Sequence, residues 1–156
     1  MASVRHHVQV AASADHVWRV VGRPELVHLW FPGIVSCVVE GDVRTVVTGN
    51  GLSIPELIVG NDALLRRFQY RITSPMFRAH LATVDVLALE PATGAAPQSV
   101  VVYATDADPA VMALVIGGGT LGALHELRRQ FAAGAGAALT AAGLGTSPRD
   151  SELVHG

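Results

Sequence analysis

Asp108-Pro109-Ala110-Val111-Met112-Ala113-Leu114-Val115-Ile116-Gly117-Gly118-Gly119-Thr120-Leu121 opens the segment around which the rest of the chain must be arranged. Asp108 is a good helix N-cap and Pro109 suits the first helical position. Leu114, Leu121, Leu124, Leu127 and Phe131 then recur on one face. Arg128 and Arg129 fall near the C-terminal end, where a helix favours cations. Gly134 and Gly136 close this long helix near residue 133, with residues 137–142 able to extend it.

Upstream, polar and apolar residues alternate from Val4 to Val10, a half-exposed first strand. The period changes at Ser13, an N-cap followed by the stripe Val17, Val20, Val21, with Gly22 as a stop. Pro24 can start a second short helix, and Trp30-Phe31-Pro32-Gly33 breaks it. Strand-like runs follow at 34–40, 43–48, 52–59, 64–73, 80–89 and 100–106. Gly41-Asp42, Gly49-Asn50-Gly51, Gly60-Asn61-Asp62 and Ala92-Thr93-Gly94 punctuate them, as in antiparallel hairpins. A sheet with one apolar face must bury it, and the one long apolar helix is the last element. The sequence therefore predicts an α+β helix-grip fold: a curved antiparallel sheet wrapped around a long C-terminal helix, with two short helices after the first strand.

At 156 residues the chain fits one domain, read as residues 1–142, followed by a polar tail, 143–156, expected to be disordered. Half of the residues are apolar and 15% charged, a surplus that needs a core, a ligand or a partner surface. The net charge of -2 carries no basic excess for nucleic acid. All eleven cations are arginines, which excludes Schiff-base and P-loop lysine chemistry. Cys37 has no cysteine partner in the chain and reads as an inert thiol on a strand. No secretory h-region opens the chain, and the apolar stretch from Ala110 to Leu124 falls short of the ~20 residues that cross a bilayer. The expectation is a cytoplasmic protein, monomer or homodimer, without stable membrane insertion.

Four stretches, in this order, carry a family likeness. They are Ser13-Ala14-Asp15-His16-Val17-Trp18; Trp30-Phe31-Pro32-Gly33-Ile34 with Gly41; Tyr70-Arg71-Ile72 with residues 80–86; and Val101-Val102-Tyr103 leading to Asp108-Pro109. Over residues 4–133 the chain resembles the polyketide cyclase/dehydrase branch of the Bet v 1-like START superfamily. That resemblance implies a helix-grip fold around a cavity, in a superfamily that includes binders, carriers and enzymes. Tyr103 and His80 depart from the residues many relatives have at these cavity positions, so ligand preference is not carried over.

Strand alternation assigns the faces. With Tyr70 inward, Phe68 and Ile72 join it. With His80 inward, so do Ala82, Val84 and Val86; Val101, Tyr103 and Thr105 form a third inward set. Glu56, sharing a face with Ile54 and Ile58, would be a carboxylate in apolar space, costly unless paired. The expected ligand walls are Phe68, Tyr70, Val84, Val101 and Tyr103 from the sheet and Leu114, Leu121 and Leu124 from the helix. Trp30 and Phe31 read either as core plugs or as a gate. The run Gly117-Gly118-Gly119 reads as a kink, as added cavity room at Gly117 and Gly118, or as a close-packing surface through Gly119-x-x-Gly122.

These residues support binding, and carriage, of a hydrophobic small molecule such as a polyketide, lipid or isoprenoid. The alternative is a cofactor-independent cyclase or dehydratase. There Glu56 orients His80 as general base and Tyr103 holds a substrate oxygen. The seven histidines show no metal-ligand spacing, so neither a metal nor a cofactor is expected.

Overall fold

Nine-residue to ten-residue alternations become the long strands, and the short ones become a hairpin meander. The computed structural model describes residues 1–132; the expected end of the domain, 133–142, and the expected tail, 143–156, lie outside the described residues. The elements are β1 (Ala2–Val10), α1 (Ala14–Val21), a 3-10 turn (Pro24–Leu26), α2 (Val27–Trp30), β2 (Ile34–Glu40), β3 (Val43–Thr48), β4 (Ser53–Asp62), β5 (Arg67–Ile72), β6 (Ala79–Ala88), β7 (Ser99–Asp108) and α3 (Ala110–Ala132). All seven strands pair antiparallel in one sheet, in the order β1-β7-β6-β5-β4-β3-β2. The inner face closes on α3, which lies mainly against β1 and β7. This is the helix-grip α+β architecture.

Local chemistry explains the joints. Ser13 accepts the His16 N–H at 3.2 Å and so caps α1, while Val17, Val20 and Val21 enter the core. Gly22 ends α1 against the Trp18 indole; a Cβ there would lie 2.5 Å from Trp18 Cε2, so the position takes glycine. Two joints differ from expectation. The β4–β5 turn is not Gly60-Asn61-Asp62: Gly60 sits at a bulge inside β4, where the register shifts against β5. The turn comes later, where the Asp62 carboxylate accepts the Leu64 and Leu65 N–H groups at 2.9 Å and Arg66 adopts φ 50°. Asp108 does not cap α3 with its side chain. It belongs to β7, and its carboxylate is held by Arg78 at 2.5 and 2.8 Å.

The glycine run does not break α3, which is continuous over 23 residues. By length and composition this helix could cross a membrane, yet Ala113, Gly117, Thr120, Ala123, Leu124, Leu127 and Phe131 are buried on it, so it is the core helix of the domain. Towards its C-terminal half, Leu124, Leu127 and Phe131 fill the space under β1, β7 and α1 with Val8, Val10, Val17 and Val101.

Candidate functional site

Under the N-terminal half of α3 the sheet turns away, and the space is not filled. An apolar vestibule of about 470 Å³ lies between the β4 start, the β5–β6 loop and α3, bounded by Leu52, Met76, Phe77, Met112, Val115 and Ile116 among others. Deeper, an inner chamber of about 170 Å³ is walled by Val27, Phe31, Ile34, Val46, Ile116 and Gly119. The two share Ile54, Ile72 and Ile116, so they form one funnel.

The polar wall of the chamber comes from the middle strands. Register pairs Arg44 of β3 with Glu56 of β4, both pointing inward. They are 3% and 5% exposed; Arg44 Nε donates to Glu56 Oε2 at 2.6 Å, and Nη2 lies 2.6 Å from the same oxygen in an ion pair. The guanidinium stacks over the Tyr70 ring at 4.6 Å and the Phe68 ring at 5.1 Å. Beside it the Tyr70 and Tyr103 hydroxyls share a 2.6 Å hydrogen bond. Burial raises the Glu56 carboxyl above its ordinary value, with the Arg44 charge pulling the other way. Burial works against the Arg44 charge too, but the Glu56 carboxylate and its neighbours more than offset it and the guanidinium stays charged. Burial lifts Tyr103 to about 12 and Tyr70 well above its usual value, so both phenols stay protonated. The wall therefore presents a cation, its counter-ion and a pair of neutral hydroxyls to an otherwise apolar space. A buried ion pair is weak support for stability, because desolvation offsets its attraction. Its presence facing a cavity points to a ligand.

The residues singled out in the sequence separate into three groups. Glu56, Tyr70, Tyr103 and Phe31 border the inner chamber. Phe68, Val84, Val101 and Leu124 are buried in the packed core, and Leu121 is half-buried. Trp30 is a core plug, 6.3 Å from the Tyr103 ring, rather than a gate. The third group faces elsewhere. Leu114 is 68% exposed and is no cavity wall. Gly118 faces open space. Gly117 gives close packing rather than cavity room, since a Cβ there would stand 2.7 Å from Val4 Cγ1.

The expected Glu56–His80 pair does not form. Glu56 is held by Arg44, and His80 Nδ1 accepts the Ile72 N–H at 2.9 Å, completing the β5–β6 edge. Burial, then the nearby Arg71 charge, lowers the His80 pKa to about 4, so the ring is neutral. Arg44 is the site residue that reading by strand alternation missed. Its inward phase with Val46 and its place opposite Glu56 across the Gly49-Asn50-Gly51 turn were the available signals. Among the described residues no group of three His, Cys, Asp or Glu side chains converges as metal ligands would.

Fold and chamber together define a helix-grip protein with a polar-floored cavity. The chain belongs to the polyketide cyclase/dehydrase and lipid transport family, whose sequence profile matches residues 1–143. No curated protein matches the sequence. Among solved structures, XoxI from Bacillus cereus is similar at 22% identity and TM-score 0.75, over 85% of this chain and 96% of that one. The di-domain ARO/CYC BexL from the BE-7585A biosynthetic pathway matches at 19% identity and TM-score 0.68, over 83% of this chain and 46% of its own length. A norcoclaurine synthase point mutant from Thalictrum flavum, in complex with a transition-state analogue, matches at 18% identity and TM-score 0.64, over 85% and 94%.

Proposed function

We propose that this protein binds an apolar small molecule bearing an oxygen function, such as a polyketide, lipid or isoprenoid. The apolar body lies in the funnel and the oxygen reaches the Arg44–Glu56–Tyr70–Tyr103 wall. The observation that carries the reading is the gathering of these four buried polar side chains on one wall of an apolar chamber. The neutral hydroxyls and the guanidinium suit a carbonyl, phenol or enol oxygen. Membership of a family described by both cyclisation and lipid transport is consistent with it. The same reading has a cytoplasmic monomer or homodimer, with residues 1–142 as the ligand-binding domain.

Thermal unfolding with naphthalene and 1-naphthol tests this. Both should raise the melting temperature with concentration, by the equivalent of about 2.7 kcal/mol at a hundredfold excess over Kd, and 1-naphthol should bind more tightly. Tyr103→Phe should narrow that difference. The absence of any shift with either probe would sink the reading.

A cyclase or dehydratase activity is the second reading, favoured by a charged donor lying beside two hydroxyls, a set able to stabilise an enolate oxygen. Its residues are Arg44, Tyr70 and Tyr103, with Glu56 as the carboxylate nearest to them; the His80 ring stands 5.7 Å from that of Tyr70, with its Nδ1 taken by the Ile72 N–H. Turnover of an aromatic poly-β-ketone mimic that vanishes in Tyr103→Phe, while its binding persists, would separate enzyme from carrier.

A further inference from the structure

Two buried polar atoms on β6 and β7, His80 Nε2 and Thr105 Oγ1, have no hydrogen-bond partner in the protein. The residues are 4% and 1% exposed. Such groups lose their hydration on burial and regain nothing unless something occupies the space beside them.

Register makes the two neighbours. His80 pairs with Ala107 and Thr105 with Ala82, so they lie on one diagonal of the β6–β7 ladder, on the face that meets α3. The imidazole is oriented from the other side. The β5–β6 ladder stops at Tyr70 and Ala82, and His80 Nδ1 takes the Ile72 N–H that follows. An accepting Nδ1 leaves the ring proton on Nε2. The two ring nitrogens point in nearly opposite directions. With Nδ1 turned to β5, the Nε2–H points away from that strand.

The cross-strand partners and the nearest buried helix positions are small. Ala82 and Ala107 are the cross-strand partners, and Ala113 and Gly117 are the buried residues of α3 nearest the helix start. Gly117 rests on Val4, which itself pairs with Thr105. Two rings flank the imidazole on the funnel side: Tyr70, which borders the inner chamber, at 5.7 Å, and Phe77, which meets His80 edge-on at 5.3 Å and also lines the vestibule.

We propose that His80 Nε2–H and the Thr105 hydroxyl form a second polar subsite, opened from the vestibule by displacement of Phe77, that receives a second oxygen of the ligand. For a carbonyl oxygen both groups donate; for a hydroxyl, His80 donates and Thr105 accepts. This rests on the cavity-binding reading and deepens it. The ligand class becomes an apolar molecule with two separated oxygen functions, one for the Tyr70–Tyr103 wall and one for this subsite.

Binding of 1-naphthol and 2-naphthol is compared with that of the 1,5-, 2,6- and 2,7-dihydroxynaphthalenes. At least one diol should bind the wild-type protein about tenfold tighter than its parent naphthol. Thr105→Val, checked for its fold by circular dichroism, should remove that gain and leave naphthol affinity within about twofold. The His80 Nε2–H resonance should move with the favoured diol and stay in place with the naphthol. If the naphthols bind but no diol gains, or the gain survives in Thr105→Val, the subsite holds a bound water only and the proposal is overturned. If neither the naphthols nor the diols bind, the cavity reading falls with it.

Discussion

The two halves of α3 meet the same sheet in opposite ways. Its C-terminal half is dry: Leu124, Leu127 and Phe131 are buried in one core cluster with Val8, Val10 and Val101. Its N-terminal half spans a funnel, offering Met112, Val115, Ile116 and Gly119 to empty space and to a buried ion pair. One half is built as a core, where apolar volume is matched to the gap. The other keeps costly groups, Arg44 and Glu56, where leucines would pack better. A domain this small carries such a defect at a cost in stability, and the difference supports the proposed binding site at that end.

Breaking the ion pair should give the largest effect. Arg44→Ala or Glu56→Ala strands a buried charge and should cost about 3–5 kcal/mol in urea unfolding. The double change Arg44→Met with Glu56→Leu should recover most of that loss or exceed wild-type stability, yet weaken 1-naphthol binding. If the double variant binds the probe as wild type does, the polar wall is not the anchor.

Next is the dry half. Leu127 is fully buried, and Leu127→Ala should cost about 3 kcal/mol through lost transfer energy and the cavity left behind. Measured at temperatures where the variant remains folded, its affinity for 1-naphthol should stay unchanged. A loss of affinity there would mean that the two halves are coupled and the comparison too sharp.

The third prediction concerns pH. In the unfolded chain His80 takes up a proton near pH 6.5; folded, it resists until about pH 4, because burial and Arg71 disfavour the cation and Nδ1 is engaged by Ile72. Protons are thus bound preferentially by the unfolded state between these values. The contribution is complete above pH 6.5 and lost as the pH falls to 4, amounting to at most about 3 kcal/mol. His80→Asn, whose amide oxygen can still accept from Ile72, should flatten the stability profile in that window. An unchanged profile would assign the acid sensitivity to other groups.

Most of the fold was legible because alternation and turn chemistry act locally. The boundaries of β2 and β3 agree with the sequence reading residue for residue, and the inward phases of β5, β6 and β7 follow from single anchor residues. The helix face was legible only in part. Leucine spacing pointed to Leu114, yet the buried face runs through Ala113, Gly117 and Thr120 before reaching Leu124. Close approach to Val4 selects small residues there, so bulk was the wrong guide. Arg44 was missed for a related reason. An arginine on a strand reads as solvent-facing, and only its carboxylate partner across the hairpin makes the inward position tolerable. Glu56 was recognised as needing a partner, but the partner chosen, His80, was already committed to the backbone.

The smallest effects come from adjacent glycines, and they separate helix propensity from site geometry. Gly118 faces open space and Gly119 faces Phe31, 3.3 Å from where its Cβ would be to the ring Cζ. Either alanine should gain about 0.5–1 kcal/mol of intrinsic helix stability. At Gly118 that gain should appear in full, with 1-naphthol binding unchanged. At Gly119 the methyl must push the Phe31 ring towards the chamber it borders, so the gain should shrink and affinity should fall several-fold. Equal affinities in the two variants would show that Phe31 can yield without narrowing the chamber. The empty half of the interface would then tolerate added bulk beside Phe31 and would not be shaped to its ligand there.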